Sequence, residues 1–212
     1  MFNQSPMGTL HGIFPTPVYI AKRDLEFSPK EDTDIKDIIK EGMNKNQNNA
    51  TSVNTYIFNS KLQEIKQFCE QQIKIYVKEI ITPAEDLDFY ITQSWLNINK
   101  PGEFHHGHAH ANSIISGVFY VSTEEDDEIS FEDPNVRIKD MIKITPKKFQ
   151  IWNCSIWNLS VNTNELILFP SWLNHMVLPN EKATTNRISI SFNTYTKGTL
   201  GKREELSELI LK

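Results

Sequence analysis

Gly102-Glu-Phe-His-His-Gly-His-Ala-His-Ala-Asn-Ser-Ile-Ile-Ser-Gly-Val-Phe-Tyr-Val121 carries four of the chain's six histidines within six positions and then runs directly into a β-rich apolar segment. In an extended backbone, residues two apart point to the same side, so His108 and His110 can present two imidazoles to one ion. A third ligand is available downstream. His175 stands 65 residues after His110 in Leu168-Phe-Pro-Ser-Trp-Leu-Asn-His-Met-Val-Leu-Pro179, and Arg187-Ile-Ser189 follows twelve positions beyond it.

Around this stretch the chain reads as mainly β with flanking helices. Short β-rich segments succeed one another from Phe89: Phe89–Asn99, Ile114–Val121, Glu128–Phe131, Ile138–Ile144, Phe149–Trp152, Ile156–Val161, Glu165–Phe169, His175–Leu178 and Arg187–Thr196. Turn residues separate them, as in Lys100-Pro101-Gly102 and Asp133-Pro134-Asn135. Such spacing suggests an antiparallel sandwich or barrel rather than βαβ units. In the last segment Arg187, Ser189, Ser191 and Asn193 alternate with Ile188, Ile190 and Phe192. One face is therefore polar and the other apolar, and with helices packed over the apolar face the polar face would line a cavity.

The N-terminal part supplies a candidate cover. Residues 12–21 read as an edge strand, since Pro15 and Pro17 suit a sheet margin. Glu31–Asn44 is helical in spacing, and the Asn-rich run 44–49 reads as a loop. The strongest helix is predicted over Ser60–Ile81, with Leu62, Ile65, Phe68, Cys69, Ile73, Tyr76 and Ile80 on one stripe and Pro83 as its stop. A short amphipathic helix is expected over Lys202–Leu211. The domain reading is a single unit over 1–212, with an N-terminal strand and supporting helices at 12–82, a β core at 88–196 and a tail at 197–212.

At 212 residues with 39% hydrophobic content, the chain can bury one good core. A net charge of −5 argues against nucleic acid as a partner. Two distant cysteines, Cys69 and Cys154, form neither a zinc motif nor a disulfide framework, and no run of 18 apolar residues is present. A soluble, cytoplasmic protein without a membrane segment is expected, its oligomeric state open. The acidic run Glu124–Glu128 reads as a solvated turn, and Trp95, Trp152, Trp157 and Trp172 as core or cavity wall.

With these residues in view, the chain resembles the 2-oxoglutarate- and iron(II)-dependent oxygenases, in particular the prolyl-hydroxylase-like branch and a bacterial and phage-type subgroup with His-x-His. The resemblance spans roughly 89–196 and extends to Ile13-Phe-Pro-Thr-Pro-Val18. It implies a double-stranded β-helix, a jelly roll related to the cupins. It also implies Fe(II) held by His108, His110 and His175, and 2-oxoglutarate held at its far carboxylate by Arg187 with Ser189. Tyr120 falls where related enzymes direct a tyrosine at that carboxylate, and Asn97 where the preceding strand reaches the co-substrate. The implied reaction is hydroxylation of a peptidyl side chain or small metabolite with dioxygen.

The departure from the family pattern is His110, which stands where a carboxylate is usual. Glu103 or Asp133 are alternative donors, and His106 with His108 an alternative pair. Two further functions compete: a cupin-like dioxygenase using three histidines without 2-oxoglutarate, and a non-catalytic jelly roll whose histidines hold zinc.

Overall fold

The computed structural model describes residues 8–136, 141–142 and 144–212. In chain order the elements are β1 (Tyr19–Lys22), α1 (Pro29–Glu41), β2 (Met43–Lys45), β3 (Ala50–Ser52), α2 (Gln63–Tyr76), β4 (Asp88–Asn99), β5 (His105–His108), β6 (Ile115–Ser122), β7 (Glu128–Glu132), β8 (Ile156–Ser160), β9 (Glu165–Pro170), β10 (His175–Val177), β11 (Arg187–Leu200) and β12 (Leu209–Leu211).

The strands form two antiparallel sheets. The larger runs β1-β9-β6-β11-β4-β3-β2, with β12 added to the far end of β11; the smaller runs β5-β10-β7-β8. Between them Phe131 of the small sheet meets Phe169 of the large one edge to face, at 5.1 Å between centroids. Tyr120, Ile129, Val161, Ile167 and Leu173 complete this inner core. The result is the antiparallel sandwich expected from the run of short strands, in the jelly-roll form that the resemblance implies.

A second core lies on the outer face of the large sheet. Ile35 and Ile38 of α1 and Ile65, Cys69, Ile73 and Tyr76 of α2 pack there against Leu96, Phe119, Leu166, Leu168, Ile190 and Phe192. The apolar side of β11 is thus covered by helices, and its polar side turns toward the small sheet. Gly117 makes the contact with Phe192 possible, because a Cβ at that position would lie 2.1 Å from the Phe192 ring.

Local chemistry sets the helix ends. Ser28 and Glu31 exchange side-chain and backbone hydrogen bonds in a capping box, and Pro29 opens the helix. Glu31 also pairs with Arg23 at 2.9 Å, tying α1 to the segment after β1. At the start of α2 the residue in the capping position is Leu62, whose side chain cannot accept a hydrogen bond. Asp34 of α1 does so instead, taking the Leu62 N–H at 2.8 Å. The helix ends in a wider turn over Val77–Ile81 before Pro83.

Several expectations are corrected. The edge strand begins at Tyr19, after the two prolines, and the Asn-rich loop is the tip of the β2–β3 hairpin. Residues 149–152 form no strand. The strand expected over Ile138–Ile144 falls largely outside the described residues. The C-terminal segment forms no α-helix: Leu209–Leu211 pairs with Gly198–Leu200. Ten residues are too few to hold a helix without a packed face, and Leu206 is 96% exposed. Trp152, Trp157 and Trp172 lie on the surface rather than in a core or cavity wall. Among the described residues, no helix is long and apolar enough to cross a membrane.

Candidate active site

The two sheets enclose a cavity that opens to solvent. Register explains which residues reach it. On β11 Ser191 stands across from Trp95, Ser189 from Asn97, and Arg187 from Asn99 of β4. On the other side Ser189 faces Tyr120 and Ser191 faces Val118 of β6. With a side-chain period of two, these rungs put Trp95, Asn97, Asn99, Tyr120, Arg187, Ser189 and Ser191 on one wall.

The opposite wall brings the histidines. His108 of β5 lies directly across from His175 of β10. His110, two residues beyond β5, is fixed by its backbone N–H donating to the Ser171 carbonyl at 2.9 Å. The ring nitrogens of His108, His110 and His175 each offer one atom within 4.8 Å of the others, and Nε2 of His110 lies 3.4 Å from Nε2 of His175. Nδ1 of His108 is 2.9 Å from the His106 carbonyl, and Nδ1 of His175 is 3.1 Å from that of Leu173. A carbonyl can only accept, so each of these Nδ1 atoms donates and each Nε2 keeps a lone pair.

Burial also favours the neutral rings. It pushes His110 down to about 4 and His175 to about 3, with neighbouring imidazoles adding to the effect, and it lowers His108 too. Three convergent neutral imidazoles suit a divalent first-row ion such as iron(II). His105, His106 and His108 form a second group, in which His106 is exposed. Neither Glu103 nor Asp133 joins either group; Glu103 instead accepts the Lys100 N–H at 2.8 Å.

The cationic end of the cavity belongs to Arg187, which is only 6% exposed. One guanidinium nitrogen, Nη1, donates to the Glu128 carbonyl at 3.1 Å and lies 3.7 Å from Asp127. Its remaining N–H groups are free to meet an anion in a fork. Tyr120 is buried beside it, and burial holds its hydroxyl protonated well above the ordinary range. Asn97 is engaged on both sides: its Oδ1 accepts from Thr51 at 3.1 Å and its Nδ2 donates to Ser191 at 2.9 Å.

Three residues here were not singled out from sequence. Asp127 belongs to the acidic run read as solvated, yet it is 4% exposed. The turn it caps, by accepting the Glu124 N–H at 2.9 Å, folds it inward. The strand alternation that exposed Asn97 also applies to Asn99 and would have found it. His105 lines the cavity as well.

Comparison with known proteins bears on the family and the fold. Residues 93–193 match a family described as "Putative 2OG-Fe(II) oxygenase". No curated protein matches the chain. Among solved structures, HygX from Streptomyces hygroscopicus with nickel, 2-oxoglutarate and hygromycin B bound is similar at a TM-score of 0.54 and 6% identity, over 84% of this chain and 82% of that one. A Pseudomonas putida prolyl-4-hydroxylase is similar at 0.53 and 13%, over 84% and 92%. A Trichoplax adhaerens prolyl hydroxylase in complex with a hypoxia inducible factor peptide fragment is similar at 0.55 and 12%, over 84% and 83%. At these identities the likeness is one of fold.

Proposed function

We propose that the chain is a member of the 2-oxoglutarate- and iron(II)-dependent oxygenases, whose family model matches residues 93–193, and that it hydroxylates a peptidyl side chain or a small metabolite. The observation that carries the site assignment is the convergence of His108, His110 and His175 within 4.8 Å in the same cavity as a buried guanidinium.

In this reading His108, His110 and His175 hold iron(II) through Nε2, and Arg187 with Ser189 and Tyr120 holds the far carboxylate of 2-oxoglutarate. Bound together, iron and keto acid would supply the oxidation: 2-oxoglutarate would lose carbon dioxide and take one oxygen atom of dioxygen to become succinate, and the other oxygen atom would enter a substrate C–H bond. The protein's part is placement. The carbonyls of His106 and Leu173 fix the tautomers of two ligands, and the Ser171 carbonyl fixes the backbone of the third.

Three neutral ligands leave the metal site about one charge more positive than two histidines and a carboxylate would. Asp127, 3.7 Å from Arg187, sets one negative charge against that excess, so the pocket with a dianionic co-substrate is balanced overall. Asn97 belongs to the co-substrate end in this reading, acting by holding Ser191 in place.

The buried cationic end favours this function over a three-histidine dioxygenase that needs no keto acid and over a zinc-bearing scaffold. Two unpaired cysteines, Cys69 and Cys154, support the further reading that the protein works in the cytoplasm. The direct test is incubation of iron(II)-loaded protein with 2-oxoglutarate and dioxygen, following succinate. Succinate formed only when metal and keto acid are both present supports the assignment; its absence, even with substrate libraries added, counts against it.

A further inference from the structure

We propose that Asn99, through its side-chain amide, donates a hydrogen bond to the far carboxylate of 2-oxoglutarate beside Arg187. The inference rests on the reading of Arg187 as the anchor of that carboxylate, and adds a residue that neither the motif nor the resemblance supplied.

Asn99 is the last residue of β4 and stands directly across from Arg187 in the β4–β11 register. Opposed residues on one face carry Cβ atoms roughly 5 Å apart, so the amide and the guanidinium reach the same volume. Both line the cavity that holds the three histidines. Asn99 is 6% exposed, and its Nδ2 is buried with no hydrogen-bond partner. A buried donor without an acceptor is costly and rare, and it persists where a ligand completes it.

The chemistry of the missing partner follows from its neighbours. An amide N–H and the unused N–H groups of a guanidinium both donate, so the atom between them must accept, and beside a fixed positive charge it is an anionic oxygen. Asn97, two residues earlier on the same face, is not equivalent. Its oxygen and nitrogen are already taken by Thr51 and Ser191, which makes it a positioning residue while Asn99 makes the direct contact.

The test compares two keto acids by calorimetry on the full chain loaded with manganese(II). 2-Oxopentanoate matches 2-oxoglutarate in chain length but ends in a methyl group, so it reports everything except the far carboxylate. Asn99→Leu is expected to weaken 2-oxoglutarate binding about 10- to 100-fold, to leave 2-oxopentanoate binding unchanged, and to keep or raise the melting temperature of the metal-free protein. Asn99→Asp, which places an acceptor against the carboxylate, is expected to weaken 2-oxoglutarate further.

Unchanged 2-oxoglutarate affinity in Asn99→Leu, with binding lost in Arg187→Leu, would overturn the role of Asn99 and leave the anchor intact. Equal losses for both keto acids together with a lowered melting temperature would reduce Asn99 to a structural residue and overturn it too. If the wild-type protein bound 2-oxoglutarate no better than 2-oxopentanoate, the anchor itself would fall, and Asn99 with it.

Discussion

Nε2 of His110 and Nε2 of His175 lie 3.4 Å apart although the residues are 65 positions apart in the chain. Two lone pairs face one another at that distance only with a proton or a cation between them. His175 spends its Nδ1 proton on the Leu173 carbonyl, so its Nε2 offers a lone pair that either a proton on His110 Nε2 or a shared cation would meet.

The first prediction concerns which histidines matter. His110→Ala and His175→Ala should each weaken manganese(II) binding by at least about 10-fold, in the range lost when a metal's immediate surroundings are altered. His106→Ala should leave it nearly unchanged, because only the His106 carbonyl serves the site. Calorimetry on the three variants checks this, and a larger loss in His106→Ala would move the metal to the His105–His106–His108 group.

Arg187→Leu should raise the Kd for 2-oxoglutarate about 30-fold or more, the usual consequence of removing one partner of a buried charge pair. It should also lower the melting temperature, since Asp127 would then keep its buried charge without a cation nearby. Arg187→Lys should recover part of the stability but less of the affinity, because an ammonium lacks the planar fork.

Gly117→Ala should destabilise the fold by about 3 kcal/mol, an overpacking cost at the upper end of the usual range. The added methyl would meet the Phe192 ring, and that ring is pinned against Phe58. Denaturant unfolding measures it, and a smaller paired residue, as in Gly117→Ala with Phe192→Leu, should restore part of the loss.

Asp34 gives a pH dependence with a definite sign. Burial alone would raise its carboxyl, but the Leu62 N–H and the Lys30 and Lys61 charges prevail and hold it below its ordinary 3.8. A carboxylate whose folded value is depressed contributes fully above its unfolded value and loses that contribution as pH falls through the folded one. Asp34→Ala should therefore cost about 1–2 kcal/mol at pH 7. The gap from wild type should narrow as pH drops below 3.8, as urea unfolding across that range would show.

Much of this site was legible before the structure. The alternation in β11 separates Arg187, Ser189 and Ser191 from Ile188, Ile190 and Phe192, and the stripe on α2 supplies the helix that covers the second set. His108-x-His110 and His175 needed only the opposition of β5 and β10 to meet. What stayed hidden depended on partners far along the chain. Nothing local to Leu209–Leu211 says that Gly198–Leu200 will take it as a strand. Asp127 sits in a run of acids, and only the turn joining β6 to β7 folds it against Arg187. Asn97 and Asn99 look alike in sequence, and are distinguished only because Thr51 and Ser191 occupy one and not the other.

The most direct test of the account is titration of manganese(II)-loaded protein with 2-oxoglutarate, alongside metal-free protein and Arg187→Leu. Saturable binding that requires the metal and is lost in the arginine variant is the predicted result. No binding to the metal-loaded wild-type protein, or equal binding with and without metal, would contradict it.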